Sequence, residues 1–451
     1  MKINIIDPSS TEFNRGSFCY APYLCYNGLS ELGHNVTLME SFIPEDLNKV
    51  PDADIQLVCL WSYPQIDCCI LLNQLLPFEK GTDNVYFVGY TPLIESLGLR
   101  HIKTSKEACC GDLMSSPTFL NIAMQSYPKY YPDFKRLLLS DCDMHLQHLE
   151  KGEKVYPLFT SYGCPNGCVF CPSTINCNKK RIELSLSGVQ NMLDDCMNLG
   201  ITSIHFTDED FFFDIHRAHN ILCFLAYENI HLIALGSAKN VKEYIYFYGT
   251  HTIETAGLEV IEIGFESASP ELSTKMGSGK SLSDCESLAQ IQDSLPCQIF
   301  WLVQTFFIGE TITTLNQTGQ FMRKYGMKMD EVVGRLRTNG TKGGLGQFFQ
   351  AYVGTPIYHK ALTNGQMLTD RPIRLIPSYI PSSFALSKIK SIQPENLDNA
   401  LIWLKLYNLS FDIETLYVGW QIQDYFLRKT DVEKIKLALT FAILARWEVI
   451  V

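Results

Sequence analysis

Three cysteines fall within eight residues of one another in the stretch Tyr162-Gly163-Cys164-Pro165-Asn166-Gly167-Cys168-Val169-Phe170-Cys171. Their spacing is C-x3-C-x2-C, and residues 154–160 just before them form an apolar run that predicts a strand. Three thiolates on such a loop, with glycines at 163 and 167, can wrap one small metal cluster. On a four-iron cube, three ligands leave one iron open, and an open iron can bind a substrate or a cofactor.

A structural zinc site is the alternative interpretation of the same cysteines. Zinc requires a fourth ligand close by, and Cys177 follows Cys171 at a suitable distance in the sequence. The spacing alone leaves both kinds of site open.

The bulk composition limits the classes of protein to which the chain can belong. Its 451 residues suffice for two or three domains, and a hydrophobic fraction of 46% predicts a sizeable buried core. The formal net charge of −11 argues against a large nucleic-acid interface. No signal peptide and no long apolar run is seen, so we expect a cytoplasmic protein without a membrane span. In the cytoplasm, the patterned cysteines are better explained as metal ligands than as disulfides.

The N-terminal part has alternating strand and helix patterns that predict an α/β fold with a Rossmann-like, doubly wound parallel sheet. Ligands of such sheets bind beyond the carboxyl ends of the strands. In this part those ends are the loop after Asp7 and the segments 61–63 and 89–92. The predicted strands are 2–6, 36–39, 54–61 and 85–89.

A second series of strand and helix patterns begins near residue 154 and predicts a partial TIM-like (β/α)6 barrel. From about residue 360 the pattern becomes mainly helical. We therefore expect three domains, with boundaries at 1–135, 136–358 and 359–451. The later predicted strands of the barrel are 203–207, 231–234, 260–265, 299–307 and 332–335.

The cysteine stretch resembles that of the radical S-adenosylmethionine (SAM) superfamily. The three cysteines, Phe170 just before the last of them, and the preceding strand all agree with this family. The resemblance implies a [4Fe-4S] cluster on Cys164, Cys168 and Cys171, whose open iron is chelated by the amino and carboxylate groups of SAM. In the family, one electron then cleaves SAM to a 5′-deoxyadenosyl radical, which abstracts hydrogen from the substrate.

Further motifs of the family occur in the same order along residues 154–358. An acidic loop follows the second barrel strand, where the family places a residue that receives the SAM ammonium group. A carboxylate at the fourth strand, here Glu266, is expected at the SAM ribose, and the element near 308 is expected at the adenine, although it lacks the longer turn of many members. The resemblance implies SAM contacts from Phe170, Asp208, Glu209, Asp210, Glu266, Ser267, Ile308 and Gly309.

The first domain resembles the cobalamin-binding domain that precedes the barrel in one branch of this family. The closest match covers residues 20–38 and the turn at 88–92. One departure concerns the cobalt ligand, because no histidine follows Asp7 before His34. Some members of the branch bind cobalamin without a protein histidine. The expected cobalamin contacts are Ser10, Trp61, Ser62, Tyr63, Gly89 and Tyr90.

The resemblance implies a cobalamin-dependent radical SAM methyltransferase that acts at an unactivated carbon. The alternative is a cobalamin-independent radical SAM epimerase, cyclase or rearrangement enzyme with a degenerate cobalamin domain. Such an enzyme could use a donor thiol, for which Cys109, Cys110 and Cys297 are unassigned candidates. A non-catalytic Fe–S or zinc protein is a third hypothesis, which the ordered SAM motifs disfavour.

We expect as partners a small-molecule or peptide substrate and an electron donor such as flavodoxin or ferredoxin. No nucleic acid is expected. A domain with auxiliary clusters is not expected either, because no cysteine follows Cys297. A methylthiotransferase that acts on transfer RNA is not expected, because such enzymes usually carry a basic RNA-binding tail and this chain is acidic.

Overall fold

The computed structural model describes residues 1–6, 21–39, 50–60, 83–89, 117–126, 155–176, 179–277, 279–304, 307, 312–329 and 354–363. Strands and helices alternate along these residues. The strands are β1 (Lys2–Ile6), β2 (Asn35–Met39), β3 (Ile55–Leu60), β4 (Val85–Gly89), β5 (Val155–Leu158), β6 (Ser161–Tyr162), β7 (Ile182–Glu183), β8 (Ser203–Phe206), β9 (His231–Gly236), β10 (Leu258–Glu266), β11 (Gln298–Val303) and β12 (Lys328–Met329). The helices are α1 (Ala21–Glu31), α2 (Pro117–Ser126), α3 (Pro172–Asn176), α4 (Leu186–Asn198), α5 (Ile215–Phe224), α6 (Ala238–Tyr248), α7 (His251–Thr255), α8 (Pro270–Met276), α9 (Leu282–Ile291), α10 (Ile312–Lys324) and α11 (Pro356–Thr363).

The N-terminal strands form a four-stranded parallel sheet in the order β2-β1-β3-β4. The inner strand β1 is buried from Ile3 onward, with Asn4 as its one buried polar residue, because neighbouring strands flank it on both sides. Helices α1 and α2 pack closely at Gly28, where an added Cβ would lie 2.7 Å from the Phe119 ring. The predicted parallel α/β sheet is confirmed.

The second sheet has six parallel strands in the order β12-β11-β10-β9-β8-β5. Helices follow its strands, and several of them begin at a serine or aspartate whose side chain accepts a backbone N–H of the first turn. These N-caps are Ser185, Asp214, Ser237, Ser269 and Ser281. The succession of strand, cap and helix confirms the predicted partial barrel.

One layer of the barrel core lies between the sheet and its helices. Trp301 is fully buried, and its indole N–H donates to the Gln292 side-chain oxygen at 2.9 Å. Phe265 packs edge-on against Trp301 and stacks on Phe321 of α10. These contacts fix β10 and β11, whose carboxyl ends carry residues of the site described below.

The predicted strand 299–307 ends at Val303 in the structure. The predicted strand 332–335 lies outside the described residues, as does nearly all of the helical region expected from 359 onward. The domain boundaries stay predictions. Among the described residues, no helix has both the length and the apolarity that crossing a membrane requires.

Candidate functional site

The predicted site residues converge because their strands are parallel and end at the same edge of the second sheet. A short antiparallel pair, β6 with β7, holds the two ends of the cysteine loop together. Gly163, the first residue of this loop, has a φ of +92°, a left-handed conformation that glycine adopts without strain. The chain thus turns sharply from β6 into the cysteines.

The three cysteine side chains are half-buried and lie within electrostatic range of one another. Backbone N–H groups point at two of the sulfurs, that of Asn166 at Cys164 and those of Ser173 and Thr174 at Cys171. Such donors stabilise negatively charged sulfur in iron–sulfur sites.

Burial raises the pKa of all three thiols, in the case of Cys168 to about 12. Backbone donors favour the thiolate forms of Cys164 and Cys171, but burial outweighs them, so deprotonation needs additional positive charge. A bound metal cluster would provide that charge, because metal binding displaces the thiol protons. The donor set fits a [4Fe-4S] cluster. In the part of the chain that the structure describes, no three His, Cys, Asp or Glu side chains are placed to hold a single metal ion.

Backbone contacts anchor the cysteine loop to two helices. The Val169 N–H donates to the Met276 carbonyl at 2.9 Å, at the end of α8. The Val169 carbonyl accepts from the Ile357 N–H at 3.3 Å, in the first turn of α11. The loop between Cys168 and Cys171 is therefore held in place by elements that are distant in sequence.

The acidic loop after β8 places its three carboxylates in three different environments. Asp208 is buried, at 1% exposure, and accepts hydrogen bonds from the Thr160 N–H and hydroxyl and from the Ser161 hydroxyl. Asp208 therefore ties β8 to the chain just before the cysteine loop.

Asp210 is also buried, and its charge helps to raise the pKa of Cys164. Its Oδ2 accepts from the Asn240 amide at 2.8 Å, and its main-chain carbonyl accepts from the Arg181 guanidinium at 2.9 Å. Burial raises the pKa of Asp210, while hydrogen bonds from Ser237 and Asn240 oppose that rise. Asp210 thus joins the acidic loop to the N-terminus of α6.

Glu209 is the member of the acidic loop that is hydrogen-bonded to the cysteine loop. Its Oε2 accepts from the Gly163 N–H at 3.2 Å, and its charge acts on Cys164 and Cys171. Burial raises the pKa of Glu209 to about 7, although Arg181 opposes that rise. A cation brought next to this carboxylate would therefore be strongly attracted to it.

Glu266 stands at the end of β10 in an unusual backbone conformation. Its φ is +65°, which non-glycine residues rarely adopt, and the register with β11 shifts between Gly264 and Glu266. Its side chain is 15% exposed, and Oε1 accepts from the Lys280 ammonium at 2.9 Å. Strain of this kind is typical of residues that are held for a function.

Lys280 was not among the residues predicted from the sequence. Burial disfavours its charge, but the Glu266 carboxylate outweighs burial and holds the pKa of Lys280 above its usual value. Its charge also acts on Cys168. A Cβ at Gly264 would lie 2.7 Å from the Lys280 Nζ, so glycine leaves room for the lysine. The basic residue just after Gly277-Ser278-Gly279 was the only signal in the sequence.

The remaining predicted SAM contacts are divided between the site and its surroundings. Phe170 is half-buried in the cysteine loop, 6.3 Å from the Phe307 ring centroid. Ser267 is buried, and its hydroxyl is hydrogen-bonded to the Thr318 hydroxyl and accepts from the Ser269 N–H. Ile308 and Gly309 lie outside the described residues.

Of the predicted cobalamin contacts, the structure describes Gly89, which ends β4 with a φ of +128°. This conformation favours glycine and turns the chain at the carboxyl edge of the first sheet. The other five residues, Ser10, Trp61, Ser62, Tyr63 and Tyr90, lie outside the described residues.

No model of a known protein family and no curated protein sequence matches the chain. Solved structures do match it. The methyltransferase TsrM from Kitasatospora setae, with cobalamin and a [4Fe-4S] cluster bound, is 12% identical with a TM-score of 0.60, over 96% of this chain and 90% of that one. TsrM with its tryptophan substrate and a SAM analogue bound is 13% identical with a TM-score of 0.55, over 81% of this chain and 76% of that one.

The cobalamin-dependent SAM radical enzyme OxsB, with aqua-cobalamin bound, is 14% identical with a TM-score of 0.59, over 100% of this chain and 80% of that one. The TM-scores show that the folds are similar, and at identities this low the similarity shows the fold alone. This chain therefore shares its fold with TsrM and OxsB, as the resemblance to the radical SAM branch with an N-terminal cobalamin-binding-like domain predicted.

Proposed function

We propose that the chain is a radical SAM enzyme whose [4Fe-4S] cluster is held by Cys164, Cys168 and Cys171. The observation that carries the proposal is the convergence of three desolvated thiols on one loop, facing two carboxylates and a lysine at the mouth of a partial barrel. When bound, the cluster and SAM supply a one-electron cleavage that produces a carbon radical able to abstract hydrogen.

Glu209 is the residue that we assign to the SAM ammonium group. Asp208 accepts three hydrogen bonds and Asp210 binds Asn240 through Oδ2, whereas Glu209 contacts the cysteine loop at Gly163 with a raised pKa. An ammonium beside Glu209 would restore its ionised form, so the carboxylate both orients the ligand and contributes binding energy.

Glu266 is assigned to the SAM ribose, whose vicinal hydroxyls can donate to a carboxylate. Lys280 acts as a positioning residue in this assignment. It donates to the Oε1 of Glu266 at 2.9 Å, the hydroxyls would bind at Oε2, and its charge also offsets that of the Cys168 thiolate.

The reaction that we propose is methyl transfer to an unactivated carbon with cobalamin as the methyl carrier. The four-stranded parallel sheet that precedes the barrel supports this proposal. Further support comes from the similar folds of TsrM and OxsB, both of which were solved with cobalamin bound. Gly89, at the carboxyl edge of that sheet, is the described residue among the expected cobalamin contacts. The proposed substrate is a small molecule or a peptide, and the proposed electron donor is a flavodoxin or a ferredoxin.

Product stoichiometry tests this reaction. Each methyl transfer of this type consumes two SAM molecules, so S-adenosylhomocysteine and 5′-deoxyadenosine should appear in equal amounts and depend on added cobalamin. Both nucleosides are measured by chromatography after anaerobic reconstitution with and without cobalamin. Turnover without cobalamin and without S-adenosylhomocysteine would contradict methyl transfer and favour the epimerase, cyclase or rearrangement alternative.

A further inference from the structure

A second group of reactive side chains lies on the outer helices of the barrel, away from the cysteine loop. On α5, His219 and Cys223 are four residues apart and therefore share one face of the helix. The Cys223 sulfur lies 3.4 Å from the His219 Nε2. Among the cysteines of the described segments, Cys223 is the one that is exposed, whereas the others are buried or half-buried.

The imidazole of His219 is held in a fixed orientation by α6. Its Nδ1 is hydrogen-bonded to the Tyr244 hydroxyl at 3.2 Å, and its ring stacks on Tyr248 with 3.8 Å between centroids and 10° between planes. When Nδ1 carries the proton and donates it to Tyr244, Nε2 presents its lone pair to the thiol. Burial, together with His216, lowers the pKa of His219 and favours this neutral form.

We propose that Cys223 is a base-assisted reactive thiol that forms mixed disulfides with small disulfides. A nucleophile within hydrogen-bond reach of a base, which a third group orients, is the arrangement that activates cysteine in proteins. His219 Nε2 takes the thiol proton, and the sulfur attacks one sulfur of the small disulfide. A new S–S bond forms at Cys223 while the original one breaks. Cys223 is oxidised, the small disulfide is reduced, and its second half leaves as a thiolate that regains the proton.

The test measures the rate at which 4,4′-dithiodipyridine modifies Cys223 in the anaerobically reconstituted protein at neutral pH. The tryptic peptide 218–239 contains Cys223 as its only cysteine, so mass spectrometry assigns the modified site. We expect Cys223 to react at least about tenfold faster than free glutathione, because a positioned base that takes the proton during attack contributes a rate factor of this order or more.

His219→Ala should remove most of this advantage, and Tyr244→Phe should remove part of it by releasing Nδ1. His231→Ala is the matched control, because His231 is a partly exposed histidine whose ion-pair partner is Glu259 instead. Its rate should equal that of the wild type. Melting temperature and iron content show whether each variant is folded. A wild-type rate no higher than that of glutathione, or an unchanged rate in a folded His219→Ala variant, would overturn the proposal. If His219→Ala does not fold, Tyr244→Phe and the glutathione comparison decide.

Discussion

Replacing Glu209 with glutamine removes the charge of the carboxylate that is hydrogen-bonded to the cysteine loop, and it preserves the size of the side chain. The Gly163 N–H, now 3.2 Å from Oε2, can still donate to the amide oxygen, so the loop should keep its shape. A lost charge-assisted hydrogen bond costs about 1.5–3 kcal/mol, which corresponds to a roughly 10- to 150-fold weaker binding of SAM.

Isothermal titration of SAM into the anaerobically reconstituted variant measures this loss directly. Iron content should stay at the wild-type level, because Glu209 is not a cluster ligand in our assignment. Asp210→Asn is the matched control: its carboxylate contacts Asn240 of α6, so SAM affinity should change by less than about threefold. Unchanged affinity in Glu209→Gln, or an equal loss in Asp210→Asn, would refute the assignment of the ammonium site.

Three further substitutions test the geometry of the site and the barrel. Asp208→Asn weakens the hydrogen bonding of a buried carboxylate with three donors and should cost about 1–3 kcal/mol in urea unfolding; wild-type stability would contradict its anchoring role. Gly264→Ala should displace the ammonium end of the flexible Lys280 side chain. SAM titration should then show weaker binding, while the melting temperature should hardly change. Wild-type affinity would argue against Lys280 as a positioning residue. Gly257→Ala puts a Cβ 2.0 Å from the Ile230 carbonyl oxygen at a φ of +73°. It should lower the free energy of unfolding by about 2–4 kcal/mol in the same urea assay. A decrease below about 1 kcal/mol would contradict this close approach.

The sequence was most informative where chemistry and periodicity coincide. Apolar alternation predicted the barrel strands near 203–207 and 260–265, and the structure has strands at Ser203–Phe206 and Leu258–Glu266. Because parallel strands end at one edge, motifs that follow them had to converge, and Glu209 does contact the cysteine loop at Gly163.

The division of roles within the acidic loop could not be predicted in this way. Asp208, Glu209 and Asp210 are adjacent and chemically alike, and their environments depend on Thr160 and Asn240, which are distant in sequence. Only the tertiary contacts show which carboxylate is already engaged.

Lys280 was missed for a similar reason. Its partner Glu266 lies 14 residues earlier, beyond α8, and no spacing rule links a strand end to a residue after the next helix. The left-handed φ of Glu266 was equally hidden, because glutamate gives no signal for that conformation.

The cluster itself is the central claim, and iron analysis with electron paramagnetic resonance of the reduced protein tests it most directly. Wild-type protein reconstituted under anaerobic conditions should hold about four irons and show the signal of a reduced [4Fe-4S] cluster. The variant with Cys164, Cys168 and Cys171 all replaced by alanine should lose both the irons and the signal. A triple variant that keeps its four irons per chain would contradict the account.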